Sequence, residues 1–298
     1  MRLFHYVWKL IISISVCLFS VVVLSACHNP ENVIPSNSET TTISSLTTEI
    51  QVDGAVGKLS GVLYRPELSS GDKTSLVILM HGFMSDKNDR IITTLASELQ
   101  NKHIAFIRFD FNGHGDSEGD FQNMTVSSEI ADARKIFDYA RQLDFVDDIL
   151  LLGHSQGGVV ASMLAGELGA ENVASTILMA PAAVLKDNAL DGIMFGVRFN
   201  PADIPEYISL FNRRVGHEYL KEAQTLPIYE TASQYTGPVC IIHGTSDEIV
   251  PYSYGVKYKD VFENAVLHLI ENEKHAFSKK LDEAKNIAIE FIEGVEYQ

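Results

Sequence analysis

The sequence predicts an α/β fold: a mostly parallel, doubly wound sheet with helices on both faces and an inserted lid. Three observations carry that expectation. Residues 149–158, Ile-Leu-Leu-Leu-Gly-His-Ser-Gln-Gly-Gly, read as an apolar strand, a sharp turn at Ser155 and the start of a helix-length apolar segment at 159–168. Along the chain, continuous apolar runs of strand length alternate with segments of helical period, as they do when parallel strands are covered on both faces. Between residues 180 and 236 the alternation breaks, and an insertion of that length between two strands is expected to fold over the site as a lid, at about 184–233.

Each element has its own signal. Residues 57–64 alternate polar and apolar side chains and end at Arg65-Pro66, which predicts an antiparallel edge strand. After a loop at 67–73, residues 75–80 form a continuously apolar strand that runs into His81-Gly-Phe83. Ile91, Leu95 and Leu99 recur at helical spacing. Residues 103–109 predict the next strand. The glycine-rich loop Asp110-Phe-Asn-Gly-His-Gly-Asp-Ser-Glu-Gly119 follows, then a helix with Val126, Ile130, Ala133, Phe137 and Ala140 on one face. Residues 173–179 add a strand. Within the insertion, residues 186–199 show no clear period, and 201–223 read as one or two short amphipathic helices with exposed aromatics. The sheet resumes at 239–243, before Gly244-Thr-Ser-Asp-Glu-Ile-Val-Pro251. It ends with a strand at 265–270, the loop Glu271-Asn-Glu-Lys-His-Ala-Phe277 and a helix burying Ala284, Ile287, Ala288, Phe291 and Ile292. Right-handed crossovers bring the loops after the parallel strands to one end of the sheet, where sites form in such folds.

The amino-terminal part has another character. Arg2 and Lys9 precede an uncharged apolar run, residues 10–24, and small residues follow it. That is the layout of a secretory signal over residues 1–26, with an uncleaved membrane anchor as the alternative. Residues 28–48 are rich in Ser, Thr, Asn and Glu without apolar period, and are expected to be a flexible spacer ahead of a domain at 49–298. Of three cysteines, Cys17 lies in the leader and Cys27 directly after it, so Cys240 alone remains in the body and no disulfide is available there. The net charge is −16, and loss of Arg2 and Lys9 makes it two units more negative. With no Lys/Arg cluster, nucleic acid is excluded as a partner.

The chemistry centres on Ser155. In Gly153-His-Ser-Gln-Gly157, glycines two positions either side leave room for a strained turn that exposes the central side chain, a nucleophile elbow; the alternative is a serine that merely caps the helix. A serine needs a base, and His275 follows the last strand at the end of the sheet where the elbow lies; His268 is the rival in mid-strand. His154 adjoins the serine but is expected to point elsewhere, and His243 to lie in a buried strand end. Asp247, in the loop after the preceding strand, is the expected carboxylate, with Glu248 as the alternative. The chain order Ser, Asp, His is the one this type of sheet uses. The backbone N–H groups of Gln156 and Phe83 are the expected oxyanion donors. No metal set or phosphate loop is present, and no cofactor is implied.

Taken together, His81-Gly-Phe83, the 110–119 loop, Gly153-His-Ser-Gln-Gly-Gly158, Gly244-Thr-Ser-Asp-Glu-Ile-Val-Pro251 and His275 resemble the α/β-hydrolase superfamily. The segment 153–166 and Leu226-Pro-Ile-Tyr-Glu230 are most similar to bacterial cinnamoyl or feruloyl esterases. The resemblance spans about residues 59–292. It implies a serine carboxylesterase that hydrolyses small carboxylic esters of hydroxycinnamoyl type. A lipase, peptidase or thioesterase is the alternative within the fold, and a non-catalytic binding protein the alternative outside it. In that family lid side chains bind the phenolic hydroxyls. Tyr229 matches one such position; Asn188 and Phe195 fall where the family more often has Asp and Gln, which implies plainer aromatic or short aliphatic acyl groups. Leu24-Ser-Ala-Cys27 resembles a bacterial lipoprotein lipobox, implying lipidation at Cys27, a membrane anchor and an extracytoplasmic location.

Overall fold

The computed structural model describes residues 46–69 and 71–296; the leader, Cys27 and nearly all of the spacer lie outside the described residues. Eight strands form one sheet: β1 (Thr47–Asp53), β2 (Lys58–Tyr64), β3 (Thr74–Met80), β4 (Ala105–Phe109), β5 (Val146–His154), β6 (Ser175–Met179), then β11 (Val239–Gly244) and β12 (Ala265–Ile270), with β7 to β10 falling in the insertion. Their spatial order is β1-β2-β4-β3-β5-β6-β11-β12. β2 runs antiparallel to both β1 and β4, and the remaining pairs are parallel.

The apolar runs bury both faces by strict alternation. On β3, Leu76, Ile78 and Met80 enter one core and Val77 and Leu79 the other, all wholly buried. The first core is covered by α2 (Val126–Ala140), α3 (Gln156–Leu168) and α6 (Ile228–Ala232), the second by α1 (Arg90–Asn101) and α8 (Leu281–Glu296). Each large side chain so buried contributes about 1.5–3 kcal/mol, so the sheet position of the central strands is strongly determined. Helix starts are set locally. Asp89 accepts from the Ile91 N–H ahead of α1, and Thr125 and Ser128 form a reciprocal capping box on α2.

Two expectations need correction. β2 is not the edge strand: β1 pairs with it along its whole length, from Thr47 opposite Tyr64 to Asp53 opposite Lys58. The pairing is driven by the inward-facing Ile50 and Val52. The 201–223 segment is also not purely helical. α4 (Val184–Asp191) leads to the hairpin β7 (Ile193–Met194)/β8 (Val197–Arg198). A second hairpin, β9 (Tyr207–Leu210)/β10 (Arg213–Gly216), precedes α5 (His217–Thr225). Ile208, Leu210 and Val215 face inward in a period of two, too short a run to outweigh the polar residues around it.

The 110–119 loop is braced rather than open. Asp110 is fully buried and accepts from the Lys87 backbone N–H at 2.6 Å, the Lys87 ammonium at 2.5 Å and the Asp116 N–H at 2.8 Å. Its motif thus secures the turn after β4. Among the described residues no helix is long and apolar enough to cross a membrane.

Thr125→Ala removes the α2 cap and should lower thermal stability by about 0.5–2 kcal/mol. Gly294→Ala, at an exposed position of α8 with open space around it, should raise stability by up to about 1 kcal/mol. Thermal unfolding should show the two shifts with opposite signs.

Candidate active site

Ser155 sits where β5 hands over to α3, with φ 56° and ψ −120°, a left-handed strain of about 1–3 kcal/mol for a non-glycine residue. The neighbouring glycines make that turn possible. A Cβ on Gly153 would lie 2.0 Å from the Gly157 carbonyl oxygen, and one on Gly157 would lie 2.4 Å from the carbonyl oxygen of His81. Ser155 makes no capping bond to its helix. Its Oγ lies 2.9 Å from His275 Nε2 instead, which disposes of the capping alternative.

On its other side, His275 Nδ1 is 2.8 Å from Asp247 Oδ2. Burial would raise the Asp247 pKa, yet hydrogen bonds from His243 and His275, and from the Val250 N–H, hold it well below the usual carboxylate range. An ionised Asp247 fixes the proton of His275 on Nδ1, so Nε2 presents its lone pair to the Ser155 hydroxyl. Oδ1 accepts from the N–H groups of Ile249 at 2.9 Å and Val250 at 2.8 Å, which sets the carboxylate plane. Glu248, the alternative, pairs with Lys274 at 3.4 Å in the open.

The structure adds two histidines to this series. His243 Nε2 donates to the Val250 carbonyl at 2.9 Å and lies 3.3 Å from Asp247 Oδ2. His154 points away from the serine, as expected, but not idly: its Nε2 donates to the His275 carbonyl at 3.1 Å, with the ring centroids 5.0 Å apart. Burial, with His275 beside it, pushes the His154 pKa down to about 4, so the ring stays neutral. His268 lies half-buried on the edge strand β12.

The loop His81-Gly-Phe83 is fixed by His81. Its Nδ1–H donates to the Gly82 carbonyl at 2.9 Å, leaving Nε2 to accept from the Phe111 N–H at 3.2 Å. Burial pushes its pKa down to about 4, which keeps that acceptor available. Among the described residues, neither the Phe83 nor the Gln156 backbone N–H has a protein acceptor.

Beside Ser155 opens a cavity of about 250 Å³, lined in part by Phe83, Leu185, Asn188, Met194, Phe195 and Tyr219. Phe195, at φ 46° in the β7/β8 turn, stacks on Phe83 at 5.8 Å and 15°. Of the three lid positions expected to meet substrate, Asn188 and Phe195 line this cavity. Tyr229 is not among its lining residues: its ring packs on Tyr258 at 4.8 Å with Lys257 over it, and its hydroxyl is buried without a partner. A larger depression of about 480 Å³, lined by Leu46, Leu63, Arg65 and Phe145, contains none of these groups.

An elbow serine at the carboxyl edge of a parallel sheet, hydrogen-bonded to a histidine and through it to an aspartate from later loops, defines a hydrolase-type site. The chain belongs to the α/β-hydrolase superfamily. A family profile described as serine aminopeptidase, S33, matches residues 71–200. Among solved structures, Est1E from Butyrivibrio proteoclasticus with ferulic acid bound is 30% identical, covering 84% of this chain and 100% of that one, with a TM-score of 0.79. The mitochondrial palmitoyl-protein thioesterase ABHD10 of Mus musculus is 26% identical over 201 residues, 63% of this chain; the match spans 64% of that protein, just under two thirds of its length. The structure of mouse alpha/beta hydrolase domain-containing protein 10 shares the fold, at 19% identity and a TM-score of 0.64, over 83% of this chain and 99% of that one.

Asp247→Asn should lower kcat on an activated ester by about 10⁴-fold, the magnitude such carboxylates show in other serine hydrolases, through loss of the His275 tautomer. Steady-state kinetics beside an unchanged thermal midpoint would check it.

Proposed function

We propose that the protein is a serine carboxylesterase acting on small esters with aromatic acyl groups, of the hydroxycinnamoyl type or plainer. The observation that carries this is the hydrogen-bonded series Ser155–His275–Asp247 opening into a cavity walled by stacked Phe83 and Phe195. The Ser155 oxygen attacks the ester carbonyl while His275 Nε2 takes its proton. The developing oxyanion is held by the N–H groups of Phe83 and Gln156, each worth about 3 kcal/mol in comparable sites. His275 then gives the proton to the leaving alcohol. In a second round it activates water, which releases the acid and restores Ser155.

The likeness to ferulate-bound Est1E supports an aromatic acyl group, and the lid composition refines it. With Phe195 and Phe83 stacked in the wall and the Gln156 amide already paired to Tyr219 and Glu129, the cavity offers ring stacking, with Asn188 and Glu248 as partners for phenolic hydroxyls. The likeness to a palmitoyl-protein thioesterase favours a second reading, hydrolysis of acyl thioesters by the same series. The cavity, below the ~300–1,000 Å³ usual for ligand sites, fits a ring or a short chain better than a long one. We also propose that Cys27 is lipidated and tethers the enzyme outside the cytoplasm, on the strength of the 10–27 sequence.

Ser155→Ala should abolish turnover of nitrophenyl and cinnamate esters with an unchanged thermal midpoint; full residual activity would sink the assignment. Rates on methyl cinnamate, methyl ferulate, nitrophenyl butyrate, a palmitoyl thioester and an aminoacyl amide, compared side by side, decide the substrate class. Preference for the thioester or the amide would overturn the esterase reading. Restoring polar groups with N188D and F195Q should raise kcat/KM for ferulate relative to cinnamate by about tenfold, the worth of one net hydrogen bond. Cys27→Ser should move the protein from the membrane to the soluble fraction, and an unchanged distribution would refute the lipid anchor.

A further inference from the structure

The Gln156 side chain is held as firmly as its backbone. It is almost fully buried, at 2% exposure, although it occupies the first position of α3, where such a side chain could turn to water. Its Nε2 donates to Glu129 Oε2 at 2.8 Å, and its Oε1 accepts from the Tyr219 hydroxyl at 2.6 Å. Glu129 comes from α2 in the core, at 2% exposure; Tyr219 comes from α5 of the lid, at 3%. The Tyr219 ring also rests 5.6 Å from that of Phe83. One lid residue therefore touches both residues expected to supply oxyanion donors.

A buried carboxyl is costly, and an apolar residue would fill the space more cheaply. Among the described residues, no Lys or Arg pairs with Glu129, and His114 alone comes within ion-pair distance. Asp132 of its own helix and Glu222 of α5 repel its charge. His114 Nε2, 4.0 Å from Oε1, has no hydrogen-bond partner, and burial, reinforced by His81 and Arg213, pushes the pKa of His114 down to about 3. The Tyr219 hydroxyl is held protonated by burial. Among the described residues, the one hydrogen bond that the Glu129 side chain makes is to Gln156.

We propose that Glu129 is a positioning residue: with Tyr219 it clamps the Gln156 amide from both ends, so that alignment of the Gln156 backbone N–H in the oxyanion site and seating of the lid are one event. The inference rests on the serine-hydrolase reading above. A donor displaced by a fraction of an ångström loses value mainly in the transition state, so the clamp acts on kcat more than on KM. Burial, with Asp132 and Glu222 adding to it and the Gln156 bond opposing, pushes the Glu129 pKa up to about 8. The folded protein then holds a proton that the unfolded chain releases near its ordinary pKa. This group's contribution to stability therefore falls as pH rises from about 4.5 to about 8.

The test measures nitrophenyl butyrate hydrolysis by the full chain bearing E129L, E129Q or Y219F. E129L should lower kcat about 10- to 100-fold with KM changed less than threefold, and weaken a boronic-acid inhibitor in parallel, as loss of donor alignment requires. E129Q keeps an acceptor for Gln156 and should recover most of kcat, while flattening the decline of thermal midpoint between pH 5 and pH 8. Y219F should lower kcat in the same direction. Should E129L fail to fold, Y219F and E129Q decide between them. Wild-type kcat in Y219F or E129L, or an E129Q defect as deep as that of E129L, overturns the clamp. An inactive wild type would sink the serine-hydrolase reading and the clamp with it; an active wild type with unaffected variants sinks the clamp alone.

Discussion

The active-site geometry depends on the close approach of α3, as it leaves β5, to the end of β3, where a Cβ on Gly157 would lie 2.4 Å from the His81 carbonyl oxygen and 2.5 Å from that of Met80. Gly157 lies against the carbonyls of Met80 and His81, with no space for even one extra carbon. That contact forces Ser155 into its left-handed conformation and presses the nucleophile's helix onto the strand that carries the His81–Phe83 loop. Ser155 and the His81–Phe83 loop are thereby joined through backbone alone. The buried alternation of β3 and β5 supplies the stability that offsets the strain, since both strands pack into the same two cores.

Much of this is legible in the sequence because its causes are local or periodic. The central strands are continuous apolar runs, and the elbow shows as paired glycines around Ser155. Asp247 and His275 are found because they follow strands and fall in loops at one end of the sheet. Other features depend on partners far along the chain. β1, of which only Thr47 and Thr48 fall in the expected spacer, is half polar and gives no strand signal until β2 pairs with it. The lid hairpins have strands of only two and four residues, below what a period can signal. His243 is an unremarkable residue of an apolar strand, and its bond to Asp247 exists because the chain turns back within four residues. The nearest sequence signal was that short separation.

The insertion supplies much of the cavity wall beside Ser155. Phe195 reaches the cavity through a strained turn and remains half exposed, at 49%. Leu190 at 50% and Ile249 at 49% are comparably exposed large apolar residues, one on the lid and one beside the Asp247 loop. The wall thus sets apolar Phe83, Leu185, Met194 and Phe195 beside polar Gln156, Asn188, Tyr219 and Glu248, and the 110–119 loop, for all its glycines, serves the frame and not the cavity.

The bond from His154 to the His275 carbonyl has a mechanical meaning. Two consecutive residues grip the same histidine, one by its ring and the other by its backbone, so the separation of nucleophile and base is gauged over a single peptide unit. The loop at 271–277 follows the edge strand β12, and it is also tied to Arg90 of α1 and to the 244–248 loop. His154 belongs to the central strand β5, so the 2.9 Å spacing of His275 to Ser155 is referenced to the interior of the sheet and not to its rim.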